Sequence, residues 1–446
     1  MQDGLESRLL ESVEQILTKY RLCNSCLGRQ FALLGRDLSN YKRGEALKIY
    51  STLIASELHE LKHEERAVQL LKLIAIQGLF QPARETLHKW GIPIETSGFC
   101  YICEGFMDKL EYFRDLILQQ VQDWEFSTFL MGSQIPENII DREDTLRAEL
   151  NLKYGESIKG DINREIGKLL QTEELQVDFD APDIVIILNP VTQTVDVQVN
   201  PLLILGRYRK LERGISQTRW ICWKCEGKGC DECKGKGLRF EYSVEGFIAD
   251  PILKAAAGTG YKFHGAGRED IDARMLGTGR PFIVEIKEPR KRKLDLNALE
   301  TEINTLATEK VEVSDLSWSN RGTVRNIKAF SQINEKTYRL LVEPQTPVDN
   351  EKLKEADEVL SGATIQQRTP RRVMHRRADK LRIKTVYDFT SIPKEDNKLE
   401  IIVRCQGGCY VKELVTGDEG RTRPSLSELI NTEITVIELD VLNVQS

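Results

Sequence analysis

Residues 264–282 read HGAGREDIDARMLGTGRPF, a run dense in glycine and charge and poor in the apolar residues that a core requires. Such a run is a candidate functional loop, because function concentrates on loops held by a scaffold. Arg268, Glu269, Asp270 and Asp272 stand close together in it. A carboxylate beside a guanidinium stays ionised when a substrate covers it, since the positive charge offsets desolvation. The competing reading is a solvated charged loop. GAGRED follows His264 and no clear apolar strand, which makes it a poor nucleotide-cofactor loop.

On the C-terminal side, FIVEI (282–286), TYRLLV (337–342) and LEIIVRC (399–405) read as strands, and 296–306 as a polar helix. Together they predict an α+β domain over residues 241–446. On the N-terminal side, residues 214–240 hold too few apolar residues to order themselves without a cross-link or a metal. Before them, apolar periodicity predicts helices over 5–20, from 45 to about 76, and through Leu110, Phe113, Ile117 and Val121. FSTFLM (126–131), IVIIL (184–188) and the alternation of Val195, Val197 and Val199 predict strands. Residues 1–213 are thus a mixed α and β domain.

Eight of the ten cysteines fall in four C-x-x-C pairs, a spacing that offers two thiolates to one tetrahedral ion. Cys23 with Cys26 and Cys100 with Cys103 supply four soft ligands, the composition of a closed structural zinc site; unrelated buried or redox thiols are the alternative. Cys222, Cys225, Cys230 and Cys233 lie in two abutting C-x-x-C-x-G-x-G units. One ion there must close a very tight hairpin, so a strained, intermolecular or empty site competes with zinc. Cys405 and Cys409 have no second pair and read as packing residues.

A chain of 446 residues implies several domains, and 30% charged against 40% hydrophobic residues is ordinary globular usage. The acidic N-terminus lacks a secretory pattern and no apolar run approaches a bilayer span, so a cytoplasmic protein without membrane contact is expected. The net charge of −6 leaves polyanion binding to local basic patches. The densest is 366–384, QQRTPRRVMHRRADKLRIK, with Arg368, Arg371, Arg372, Arg376, Arg377 and Lys380 against Asp379. The stretches 207–213 and 280–293 are weaker candidates of the same kind.

Four segments, CNSCLGRQFALLG, NPLLILGRYRKLERGISQTRW, FHGAGREDIDARMLGTGRPF and CQGGCYVKELVTGDEGRTRPS, resemble in that order the THUMP-containing tRNA pseudouridine synthases that modify the T-loop. The resemblance implies a zinc-stapled THUMP-type accessory domain over 1–213, a Cys/Gly-rich zinc-type linker over 214–240, and a catalytic domain over 241–446 around a mixed, largely antiparallel sheet. It implies isomerisation of uridine to pseudouridine at tRNA position 55, and also 54, without a catalytic cofactor, by a monomer that grips the tRNA T-arm.

By the same resemblance Asp270 is the essential aspartate, with Asp272 the competing choice. Tyr338, in a K-x-Y motif with Lys336, stacks on the uracil. Lys412 stands where many relatives carry arginine and pairs with Asp270 as a point charge, which leaves more of the carboxylate's orientation to Arg268. Tyr410 contacts base or sugar, Leu414 packs against the uracil, and 366–384 is a thumb-like RNA loop. The rival reading is a non-catalytic zinc-dependent tRNA-binding protein in which the charged loop only meets phosphate. A THUMP-linked methyltransferase or thiouridine synthase would need a nucleotide-binding glycine motif, and no convincing one is present.

Overall fold

The computed structural model describes residues 3–95, 98–330, 334–375 and 377–444. The chain forms two units, Met1–Asn200 and Pro201–Ser446.

The first unit opens with α1 (Asp3–Lys19), α2 (Asn24–Arg29), α3 (Asn40–Glu60), α4 (Glu64–Ile76), α5 (Gln81–Lys89) and α6 (Leu110–Val121). The single helix expected from 45 to 76 is two, α3 and α4. Lys62 takes a left-handed φ of 66°, and the His63 amide bonds back to the Leu58 carbonyl, a helix-ending turn that needs neither glycine nor proline. There follow β1 (Thr128–Ser133), α7 (Glu137–Glu149), α8 (Ile158–Leu170), β2 (Gln176–Val177), β3 (Ile184–Asn189) and β4 (Thr194–Val199). The strands lie in the order β2-β1-β3-β4. β1 runs parallel to both its neighbours and β4 antiparallel to β3. Ile158, Ile162, Ile166 and Leu170 form one buried stripe on α8, which packs on β1.

The second unit comprises β5 (Leu202–Lys210), α9 (Val244–Ala256), β6 (Gly260–Gly265), β7 (Ala273–Lys287), α10 (Leu296–Leu306), β8 (Val311–Trp318), α11 (Arg321–Phe330), β9 (Glu335–Pro344), α12 (Asn350–Leu360), β10 (Thr364–Arg368), β11 (Leu381–Pro393), β12 (Leu399–Gln406), α13 (Val411–Thr416), β13 (Thr422–Arg423), α14 (Leu426–Ile430) and β14 (Ile434–Val444). Among the described residues its strands make one ten-stranded sheet, ordered β13-β10-β11-β12-β9-β14-β7-β5-β8 with β6 also on β7. Every pairing is antiparallel except β14 with β7.

The division after Asn200 differs from the boundary expected at 213. β5 hydrogen-bonds to β7 and β8 inside the large sheet; its hydrophobic run suits either domain, and only the long-range pairing assigns it. Residues 214–240 likewise form part of this second unit rather than a separate linker. Ser216 bridges to Ser243, and Ile221 to Leu238. Among the described residues no helix is long and apolar enough to cross a membrane.

Candidate active site

The loop between β6 and β7 carries Arg268, Glu269, Asp270 and Asp272, so the GAGRED segment does follow a strand. Because a strand and not a helix comes next, it still offers no helix N-terminus for a cofactor phosphate. The loop edges a cleft of about 760 Å³, lined among others by Asp270, Lys336, Tyr338, Arg372, Tyr410, Lys412, Leu439 and Val441. That volume suits a small-molecule or nucleotide site.

Asp270 Oδ2 lies 3.0 Å from Arg372 Nη1 and 3.7 Å from Lys412 Nζ. The side chain is about one-third exposed. Two cations thus flank the carboxylate at the mouth of the cleft. Lys412 bonds more closely to Asp272, at 2.7 Å. That contact holds the Asp272 carboxyl below the usual carboxylate range although burial works the other way. Arg268 does not take the orienting role expected of it. Its guanidinium lies over the Trp220 indole, 5.3 Å from the ring centroid, and the carboxylate's arginine is Arg372.

Buried polar groups behind the loop fix its backbone. Arg280 of β7 pairs with Glu269 at 2.9 Å and donates to the Ala266 carbonyl at 2.7 Å. Tyr208 of β5 donates to the Glu269 carboxylate at 2.9 Å, and burial pushes its phenol pKa well up, so it remains a donor. Gln217 Nε2 donates to Tyr208 Oη at 2.8 Å and to the Gly267 carbonyl at 2.9 Å. Lys210, fully buried, donates to the carbonyls of Ile215, Asp270 and Ile271 at 2.8, 3.1 and 3.1 Å. Arg213 donates to the Asp272 carbonyl at 2.9 Å. Such a shell holds the loop backbone, and Asp270 with it, in one arrangement. Sequence reading missed it, treating 207–213 and Arg280 as outward RNA contacts; the alternation along β5 is the signal that Lys210 points inward.

Tyr338 of β9 faces the cleft, and burial beside Cys405 pushes its hydroxyl pKa up, which keeps the ring neutral. Tyr410 lines the cleft too, with Arg382 5.6 Å over its ring and Arg377 donating to its hydroxyl at 3.1 Å. Leu414 departs from expectation. It is fully buried in the core because α13 turns it away, and Val411, Leu439 and Val441 supply the cleft's apolar wall instead. Cys405 and Cys409 are core residues as expected.

The connector 366–384 folds into β10, a single 3₁₀ turn (Arg371–Val373) and the start of β11. Its cations are not all turned outward. Arg372 bridges Glu413 at 2.7 Å as well as Asp270, Arg371 pairs with Glu419, and Arg368 lies 3.7 Å from Asp379. Lys380 is exposed. Arg376 falls outside the described residues.

Both cysteine tetrads close. In each, the four Sγ atoms lie within 4.8 Å of one another. Cys23 to Cys103 is 3.7 Å, and in the second cluster Cys222 to Cys230 is 3.9 Å and Cys225 to Cys233 is 3.7 Å. Thiolates about 2.3 Å from a tetrahedral ion stand about 3.8 Å apart, so both sets fit a metal with no open position. The first is buried, with Arg29 Nη2 3.4 Å from Cys26 Sγ and the Lys48 ammonium near it. Burial holds that ammonium down to about 8 while the cysteine charges work to raise it. The second closes within one chain because each unit ends in a glycine whose amide donates to its own cysteine, Gly229 to Cys225 and Gly237 to Cys233, both at 3.2 Å. Gly237 has φ 69°, and a β-carbon there would lie 2.3 Å from the Gly227 carbonyl oxygen.

Comparison with known proteins agrees with this division of the chain. Residues 203–445 match the Pus10 C-terminal family and residues 113–189 the archaeal Pus10 THUMP domain. A protein of Methanothrix thermoacetophila named tRNA pseudouridine synthase Pus10 is 41% identical over 99% of this chain and 95% of its own length. Its namesake in Methanocaldococcus jannaschii is 43% identical over 96% of this chain and 93% of its own. That of Thermofilum pendens is 38% identical over 98% and 95%. With similarity running the length of both units, the chain belongs to the Pus10 family of pseudouridine synthases.

Proposed function

We propose that the protein isomerises uridine to pseudouridine in the T-loop of tRNA, at position 55 and also at position 54, with Asp270 as the essential carboxylate. One observation carries the reading: Asp270 stands between Arg372 and Lys412 at the mouth of a nucleotide-sized cleft walled by Tyr338 and Leu439. The C1′–N1 bond breaks with its electron pair going to the uracil. The ring turns without leaving, C5 bonds to C1′, and the C5 proton is replaced by one on N1. Asp270 either attacks C1′ or removes a ribose proton, and both routes use the carboxylate as its anion.

Tyr338 offers an aromatic face to the flipped uracil, and Tyr410 contacts base or sugar. The exposed cations Arg368, Arg371, Arg377 and Lys380 grip the T-arm, and the THUMP-containing unit binds the tRNA body. Zinc in each cysteine tetrad staples its surroundings and takes no part in the reaction.

Asp270→Ala is expected to abolish tritium release from C5-labelled uridine in a tRNA transcript while tRNA binding stays nearly intact. Turnover at the wild-type rate would end the proposal. Mapping carbodiimide-dependent stops assigns the positions, and Cys23→Ser lowers the zinc content of the purified protein.

A further inference from the structure

Lys336 is 6% exposed, yet it lines the cleft. Among the described residues its ammonium has no hydrogen-bond acceptor and no ion-pair partner. Its surroundings do not supply one: Arg280 is a second buried cation close by, already engaged by Glu269 and the Ala266 carbonyl. A β-carbon placed on Gly267, whose φ is 90°, would lie 3.0 Å from Lys336 Nζ and 2.9 Å from Arg280 Nη1. The glycine is therefore what leaves room for both cations at the loop. Burial beside Arg280 lowers the Lys336 ammonium to about 8, which leaves it charged at neutral pH.

The Lys336 side chain is almost wholly buried and its ammonium opens only to the cleft, so the described residues themselves give this charged donor no acceptor. Unlike Lys210 and Lys48, each bonded to three acceptors, Lys336 is placed for an acceptor that arrives from outside. Position suggests which one. Lys336 and Tyr338 are two apart on β9, on one face and roughly 7 Å from each other along the strand. Asp270 sits nearer the mouth, being about one-third exposed. A nucleotide with its sugar at Asp270 and its base on Tyr338 directs a ring carbonyl inward, toward Lys336.

Resting on the function proposed above, we infer that Lys336 is a further substrate-binding residue, whose ammonium donates to a carbonyl oxygen of the uracil ring and stabilises the uracilate formed on glycosidic cleavage. When the C1′–N1 bond breaks, the electron pair left on N1 is delocalised onto the ring carbonyl oxygens. A fixed donor at one of them is stronger in the transition state than in the ground state. No proton leaves the lysine. The charge disappears when C5 bonds to C1′ and N1 is protonated.

The test uses single-turnover conversion of a tRNA transcript by the full chain. Lys336→Met keeps the length of the side chain and removes the donor. The expected loss in the isomerisation rate is on the order of 100-fold, as for one oxyanion donor, with tRNA affinity within a few-fold of wild type. The melting temperature should be unchanged or raised, because an unpaired buried charge is gone. Lys336→Arg, which keeps a donor, should recover part of the rate.

A rate within two-fold of wild type in Lys336→Met overturns the inference. So does a rate loss accompanied by an equal loss of stability, which marks a structural role. A wild-type protein that forms no pseudouridine in the same transcript overturns the functional reading itself, and is seen before any variant is compared.

Discussion

Two basic stretches of this chain, residues 207–213 and 366–384, read alike as sequence and fold to different ends. Lys210 and Arg213 of the first turn inward and hold carbonyls of the loop that bears Asp270. Arg213 also joins Arg274 and Arg339 around the buried Asp440 carboxylate. In the second stretch Arg372 turns in to Asp270, while Arg368 and Arg371 remain exposed against single acidic partners. A cation's role thus follows from the acceptors its strand brings near it, and local charge density says little about it.

Arg372→Ala is the harshest challenge to this contrast. It leaves Asp270 with Lys412 alone and Glu413 buried without its partner. We expect pseudouridine formation to fall at least about 100-fold with tRNA binding nearly kept; a comparable loss of binding with the rate intact would return Arg372 to the outward class. Next, Lys210→Met leaves the carbonyls of Ile215, Asp270 and Ile271 without this donor. About 1–3 kcal/mol of stability and a tenfold or greater part of the rate should go together, read by denaturant unfolding and single-turnover assay.

Asp440→Asn tests the cluster Arg213 shares. Burial alone would raise this carboxyl, but Arg274, Arg339 and Arg213 hold it below its ordinary value. A folded-state pKa lowered in this way contributes stability that is complete above about pH 4, the unfolded value, and is lost as pH falls through the folded value. The stability gap between wild type and variant should therefore narrow on acidification; a constant gap would deny the linkage. Smallest of all, Arg371→Ala should weaken tRNA binding only a few-fold and reduce the salt slope by about one, without touching the single-turnover rate at saturation.

Much of the site could be read from local sequence. Asp270 and Tyr338 fall in short motifs that the family resemblance singled out, and C-x-x-C spacing gave each cysteine pair, since a tetrahedral ion needs ligands at short intervals; that Cys23 and Cys26 meet Cys100 and Cys103 came only from the fold. Leu414 could not be placed that way. Its motif neighbours line the cleft, but the turn of α13 buries it, and Leu439 and Val441 reach the cleft from a strand near the end of the chain. The break at Lys62 was equally silent, because a left-handed lysine leaves no mark in an apolar periodicity.

Sequence alone determined the α+β plan and the metal-type ligand pairs, because periodicity and ligand spacing act over a few residues, while Asp270 was singled out by resemblance to a family. Tertiary structure decided that β5 joins the large sheet, that Arg372 rather than Arg268 holds Asp270, and that Lys336 is buried against the cleft with no acceptor among the described residues. Those outcomes depend on which strands pair across tens to hundreds of residues, and strand pairing is set by the burial of whole faces.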